Sequence, residues 1–256
     1  MPDLVRITNV EKSYCQAGAY FNGSKVKVLK GVTFTIEEGC CVGLVGESGS
    51  GKSTLTRLIL GLELPDKGGG AILIEGKPVR RWIRENQGKM SVIFQDYTSS
   101  VNPRHTVGET IAEPLQAMRR EENLDDDINV LLGKVSLSSD LKKRYPHELS
   151  GGQLQRVCIA RAIATNPKFI VLDEAISSLD VSVQTQILSL LHNLRLEMNM
   201  TYLFVAHDLQ AVAHLCNKIV FLYRGKVVEE TGRDQLANVQ NVYAKALLGS
   251  VIPFEV

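Results

Sequence analysis

Residues 46–53, Gly-Glu-Ser-Gly-Ser-Gly-Lys-Ser, stand between a short apolar run, Cys41–Val45, and a stretch with helical apolar spacing, Lys52–Leu62. This strand–loop–helix order constrains the chain more than any other feature. Gly46, Gly49 and Gly51 let successive backbone N–H groups turn inward around an anion, where a Cβ would clash. The helix that follows adds the positive end of its dipole at the same place. The spacing G-x-x-x-x-G-K-[ST] in that context predicts a loop for nucleotide phosphates. Lys52 supplies a compact charge for the β- and γ-phosphates, and the Ser53 hydroxyl is a Mg²⁺ ligand of the right kind. The plainer reading, a glycine-rich turn with a stray lysine, leaves the whole spacing to chance.

A phosphate loop does not say what happens to the nucleotide. Phe169–Leu172 is an apolar strand that ends in two acids, Asp173 and Glu174. A buried strand delivers Asp173 beside the Mg²⁺, and Glu174, one residue further, is a candidate general base for an attacking water. Gln95 follows the apolar run Met90–Phe94, where it can reach both the metal and that water. His207 follows Leu203–Ala206, where it can bond the γ-phosphate. Singly, Gln95 and His207 read as surface polar groups. Four apolar strands that end in polar groups at the ligand-binding edge of one sheet favour the functional reading.

Along the chain, Leu4–Val10 alternates like a strand, Ala17–Ser24 is turn-rich, and Val26–Ile36 alternates again. Ala71–Ile74 is a further strand candidate. From Tyr97 to Ala160 the character is helical, with turns at Asn102-Pro103 and Tyr145-Pro146. After it, the strand-like segments Phe169–Leu172, Tyr202–Val205 and Ile219–Tyr223 alternate with the helical Val183–Met198 and Leu209–Leu215. That alternation predicts an α/β fold around a largely parallel sheet, with the helical segment inserted.

Composition narrows the partners. A net charge of +1 over 256 residues gives no general attraction to nucleic acid or anionic lipid. No apolar stretch approaches the roughly 20 residues of a membrane span, and the N-terminus lacks a secretory layout, so a soluble cytosolic chain is expected. Cys15, Cys40, Cys41, Cys158 and Cys216 form no metal-ligand spacing and are expected to be reduced and structural, Cys40 and Cys41 pointing to opposite faces. The acidic cluster Glu121, Glu122, Asp125, Asp126, Asp127 reads as a solvated loop or helix start.

Leu149–Ala162 raises a separate question. Ser150, Gly151 and Gly152 open an apolar-periodic run, which makes a second helix N-terminus suited to an anion. Taken with it, GESGSGKST, FQD, LSGGQLQR, VLDEAISSLD and VAHD occur in that order, and the set resembles the nucleotide-binding subunit of an ABC transporter. The resemblance covers nearly the whole chain.

It implies a P-loop NTPase (ABC ATPase) core with a mostly parallel sheet, an N-terminal antiparallel β-subdomain and an inserted helical subdomain. As domains it implies one unit over 1–256: a catalytic core over about 1–96 and 161–235, the helical subdomain over 97–160, and a short extension over 236–256. The cofactors implied are ATP and Mg²⁺, with Gly46, Glu47, Ser48, Gly49, Ser50, Gly51, Lys52, Ser53 and Thr54 on the phosphates. Ser53, Gln95 and Asp173 serve the metal, and Glu174, His207 and Gln95 serve hydrolysis. In this family the second loop does not read its own nucleotide. Two subunits pack head to tail, so Ser150, Gly151, Gly152 and Gln153, with Asp180, complete the partner's site. Tyr14 is implied to stack on adenine, with Tyr20 and Phe21 as rivals because the insertion blurs the alignment. Where the family commonly has Glu-Pro-Thr-Ser, this chain has Glu174-Ala175-Ile176-Ser177, and the missing proline is expected to loosen that turn.

The stretch SSVNPRHTVGETIAEPL after Gln95 and the tail Asn241–Leu248 resemble the peptide/nickel import group. That group implies a second, different ATP-binding subunit, two permease subunits, an extracytoplasmic binding protein, and a peripheral position on the cytoplasmic face of the membrane. The expected cargo is nickel or a metal–chelator complex, since many peptide-importing relatives carry a longer, cysteine-bearing tail where this chain stops at Val256. A di- or oligopeptide is the alternative. A soluble ATPase acting on DNA or ribosomes, or a regulator that does not hydrolyse, fits less well. The first lacks its usual coiled-coil insertion, and the second is opposed by Asp173 and Glu174.

Overall fold

The computed structural model describes residues 2–15, 25–120, 122–176 and 180–249. Tyr20, Phe21 and the rest of Ala17–Ser24 lie outside the described residues, as do Glu121 and Ser177.

β1 (Asp3–Cys15) pairs antiparallel with β2 (Lys25–Glu37). The register shifts between Ile7 and Val10, where Asn9 takes φ 48°, so the buried face resumes at Val10 rather than Asn9. β3 (Cys41–Val45) is buried throughout, as an apolar run covered on both faces should be. α1 (Lys52–Ile59) stops short of Leu62 because Gly61 takes φ 69° and the Leu62 N–H donates back to the Arg57 carbonyl at 3.0 Å, a glycine C-cap. β4 (Ala71–Ile74) and β5 (Lys77–Pro78) follow, then α2 (Val79–Glu85), whose Trp82 is buried and donates to the Glu75 carboxylate at 2.6 Å.

β6 (Met90–Phe94) has the expected bounds. The helical stretch expected from Tyr97 begins only with α3 (Val107–Ala117), where Thr106 and Glu109 form a capping box. α4 (Leu124–Lys134) carries Asp125, Asp126 and Asp127 in its first turn, where the helix dipole favours acids. α5 (Gly151–Ile163), β7 (Phe169–Asp173) and α6 (Val181–Glu197) continue the chain. β8 (Thr201–Ala206), α7 (Leu209–Leu215), β9 (Lys218–Tyr223), β10 (Lys226–Gly232) and α8 (Val242–Gly249) complete it. No helix among the described residues is long and apolar enough to cross a membrane.

The chain divides into two compact units, Met1–Glu85 with Leu203–Val256, and Asn86–Tyr202; the division falls within β8. The first unit holds an antiparallel sheet in the order β2-β1-β4-β5. It also holds β9, parallel to β3 on one side and antiparallel to β10 on the other. The second unit pairs β6 with β7 in parallel, Met90 opposite Phe169 and Phe94 opposite Asp173, and packs α3, α4 and α5 on one another.

β10 breaks the alternation that would mark it, since its register shifts between Val227 and Glu229. Its hairpin turn, Arg224-Gly225, takes φ 46° and 82°, the positive pair that a two-residue turn between antiparallel strands requires. None of the five cysteines, all among the described residues, forms a disulfide. Cys41 and Cys216 are buried with Sγ atoms 3.3 Å apart, and burial pushes the Cys158 thiol up to about 11.

Candidate nucleotide site

The loop 46–53 leaves the end of β3, where Val45 sits opposite Phe221 of β9. Gly46 is fixed by space: a Cβ there would lie 2.2 Å from the Leu222 carbonyl oxygen and 2.8 Å from Ser50 Oγ. Gly51, the residue before α1, is fixed by conformation, with φ 111° and a Cβ position 2.7 Å from Leu29 Cδ2. No side chain among the described residues caps the start of α1. Lys52 is 6% exposed and turns into the loop, donating to the Gly46 carbonyl at 2.5 Å and the Glu47 carbonyl at 3.0 Å. Ser50 Oγ is buried with no hydrogen-bond partner among the described residues. A buried hydroxyl without a partner is costly, and an anion in the loop would relieve it. Glu47, Ser48, Gly49 and Ser53 are exposed, and Thr54 is buried beneath them. The loop therefore fits phosphate by donor geometry, charge and an orphaned polar atom.

Tyr14 lies near the end of β1 opposite Val26 of β2; two and three residues further along β2, Val28 and Leu29 pack against Gly51. The ring is half-buried, Lys12 Nζ lies 5.3 Å from its centroid, and its hydroxyl donates to Glu63 at 2.7 Å. That hydroxyl, ahead of Lys12 and Arg57, holds the Glu63 carboxyl below its usual value. His207 is exposed just past β8, and Asp208 behind it caps α7 through the Gln210 N–H at 2.8 Å. Tyr14, the loop and His207 belong to the first unit.

The second unit holds the remaining residues. Because Phe94 sits opposite Asp173, Gln95 and Glu174 leave their parallel strands at the same level. Gln95 is exposed, while Asp173 and Glu174 are half-buried. Glu174 takes φ 50°, a conformation that a non-glycine residue keeps only where its surroundings impose it. Those surroundings are visible in the next two residues. The buried Gln155 of α5 donates from Nε2 to the Ala175 carbonyl at 2.7 Å, and Gln184 of α6 donates to the Ile176 carbonyl at 3.0 Å. Two side-chain amides thus anchor the turn that lacks the expected proline. Beyond Gln95, the Asp96 carboxylate accepts from the Thr98 hydroxyl and from the Thr98 and Ser99 N–H groups. The Thr98 hydroxyl and the Ser99 contacts hold its pKa down to about 2.

The second glycine loop is a capped helix start. Ser150 Oγ accepts from the Gln153 N–H at 3.3 Å, and Gln153 Oε1 accepts from the Ser150 N–H at 3.0 Å. As an acceptor in this box, Ser150 keeps its own O–H to donate. Ser150, Gly151, Gly152, Gln153 and Asp180 line one cavity of about 330 Å³, so the structure brings together residues that are about thirty positions apart in sequence. Tyr97, Arg156 and Gln186 also line it. Sequence reasoning missed these three. Arg156 and Gln186 fall on polar faces of ordinary helices; in the structure Arg156 donates from Nη1 to the Val135 carbonyl at 2.9 Å and from Nη2 to Gln186 Oε1 at 3.4 Å.

A parallel strand running into a glycine loop, an uncapped helix and an inward lysine define a P-loop nucleotide-binding ATPase. The ABC transporter family profile matches residues 29–177. The chain is 41% identical over 254 residues to a metal-staphylopine import system ATP-binding protein of Staphylococcus aureus, covering 98% of this chain and 100% of that protein. It is 40% identical over 262 residues to a nickel import ATP-binding protein of Rhodospirillum rubrum, covering 99% and 93%. It is 39% identical over 265 residues to an oligopeptide transport ATP-binding protein of Lactococcus lactis, covering 100% and 82%. Among solved structures, the dimeric ATP-binding cassette MJ0796 bound to ADP and Pi matches with a TM-score of 0.76 at 30% identity, over 90% of this chain and 98% of that one.

The chain belongs to the ABC transporter family, in the group of metal and oligopeptide import ATP-binding proteins. It binds ATP and couples ATP hydrolysis to transport.

Proposed function

We propose that the chain is the motor subunit of an importer for nickel or a metal–chelator complex, working as half of a head-to-tail ATPase dimer. The observation that carries the nucleotide assignment is the loop 46–53, with its inward Lys52 and its buried Ser50 hydroxyl, which has no hydrogen-bond partner among the described residues. Gly46–Thr54 bind the phosphates and Tyr14 faces the adenine. Ser53, Gln95 and Asp173 hold Mg²⁺, which when bound neutralises charge on the phosphates. Glu174 accepts a proton from the attacking water, while Gln95 orients that water and His207 donates to the γ-phosphate. Ser150–Gln153 and Asp180 serve the partner's nucleotide, a role supported by their convergence on one cavity.

By the same reading, residues 1–96 and 161–235 form the catalytic core, 97–160 the helical subdomain and 236–256 an extension. The dimer partner is a second, different ATP-binding subunit. Two permease subunits hold the pair at the cytoplasmic face of the membrane, and an extracytoplasmic binding protein delivers cargo. The metal reading is supported by two of the relatives above, which by name import nickel or metal-staphylopine; the oligopeptide relative supports the second reading.

Lys52→Ala should weaken MgATP binding by at least about tenfold, the scale of one buried charge-assisted contact. A fluorescent-nucleotide titration measures it, and wild-type affinity in the variant would sink the assignment. Radiolabelled nickel, nickel–chelator and oligopeptide uptake in a deletion strain decides the cargo. Loss of peptide uptake alone would overturn the metal reading.

The turn after Glu174 gives a further expectation. Gln155→Ala strands the Ala175 carbonyl, a loss of about 1–3 kcal/mol. Applied to the placement of the base, it should lower kcat roughly tenfold or more while MgATP affinity stays within about twofold. Unchanged kcat in the assembled transporter would show that Gln155 supports the fold and not the turn's catalytic geometry.

A further inference from the structure

The C-terminal helix reaches the phosphate loop through one hydroxyl. Tyr243 Oη accepts a hydrogen bond from the Glu47 backbone N–H at 2.8 Å. The bond is built, because several contacts fix the ring. The Glu229 carboxylate of β10 accepts from the Gln240 and Asn241 N–H groups, each at 2.8 Å. Asn241 Oδ1 then accepts from the Tyr243 N–H at 2.9 Å, which sets the first turn of α8. Ala244 and Leu248, four residues apart, bury the same face of that helix. The Tyr243 ring lies against Tyr223 at the end of β9, centroids 4.2 Å apart, and Arg224 covers the other ring at 5.0 Å.

What the hydroxyl holds is one peptide plane. The Glu47 N–H and the Gly46 carbonyl belong to the same trans peptide, so they point in opposite directions. The N–H goes to Tyr243, and the carbonyl receives Lys52 Nζ at 2.5 Å. Turning that plane would take away the Gly46 carbonyl, one of the acceptors that set the direction of the Lys52 ammonium. The neighbouring hairpin steadies the same loop, where the Gly225 N–H donates to the Ser50 carbonyl at 2.9 Å.

We propose that Tyr243 is a positioning residue for ATP binding, its hydroxyl fixing the Gly46–Glu47 peptide and through it the ammonium of Lys52. This rests on the assignment of residues 46–53 to the nucleotide phosphates. Partial burial raises the Tyr243 phenol above its usual value.

Tyr243→Phe removes the hydroxyl and keeps the ring against Tyr223. In the full-length subunit, the MgATP Kd should rise about fivefold, the effect of losing one neutral hydrogen bond. In the assembled transporter, KM for ATP should rise by a similar factor with kcat within about twofold, because the base and the water are untouched. Amide hydrogen exchange at Glu47 should quicken while Tm stays near the parent. Kd and KM at parental values would overturn the proposal, as would a lowered Tm with no change in Kd, which marks a merely structural tyrosine. Wild-type protein that fails to bind MgATP would instead overturn the nucleotide assignment, so the two failures are distinct.

Discussion

Glu174→Gln is expected to keep MgATP affinity within about twofold while turnover falls by about 10²–10⁴-fold, the usual worth of a positioned general base. The amide is isosteric with the carboxylate but cannot accept the proton of the attacking water. The backbone favours a clean comparison. Glu174 holds φ 50° because Gln155 and Gln184 grip the two carbonyls after it, and neither grip involves the Glu174 side chain. Bound ATP that is not consumed should leave the dimer closed. Single-turnover hydrolysis and sedimentation in MgATP measure the two halves of this expectation. Hydrolysis at the parental rate would remove Glu174 from the role of base.

Gly151→Asp should separate the two glycine loops by function. Gly151 is the first residue of α5, exposed at the mouth of the cavity that Ser150, Gln153 and Asp180 also line. An acid in the first turn suits the helix dipole, so the subunit should fold and bind MgATP at its own loop as before. In the proposed head-to-tail dimer, the added carboxylate would stand where the partner's γ-phosphate docks. Like charges 4 Å apart repel by about 4 kcal/mol at an effective dielectric near 20, roughly a thousandfold in rate. Hydrolysis at the partner's site and cargo uptake should therefore be lost in the assembled transporter. Parental ATPase activity in an assembly carrying Gly151→Asp would show that this loop does not serve a nucleotide in trans.

Much of the fold was legible from local pattern. Cys41–Val45, Ala71–Ile74, Met90–Phe94 and Leu209–Leu215 have the bounds that apolar runs and periodicity predict. Elements whose signal is interrupted were not legible. The bulge in β10 places Val227 and Val228 side by side and hides its period, and its turn uses Arg224 where Asn or Asp is the usual signal. The end of α1 is hidden for a related reason, since Leu62 carries the apolar period past the glycine cap at Gly61.

The candidate site divides along the same line. Lys52, Ser53, Asp173, Glu174 and Ser150–Gln153 are named by spacing, because a phosphate loop, a strand end and a helix start each need their residue types at fixed intervals. The sequence by itself determined those units and the chemistry each offers. The tertiary structure alone decided what holds them: Gln155 on the Ala175 carbonyl, Gly225 on the Ser50 carbonyl and Tyr243 on the Glu47 N–H. Each of these bonds joins a side chain or an N–H to a backbone group far away in sequence. No periodicity records such a partner, because it is set by which elements pack together and by the need of every buried backbone group to find one.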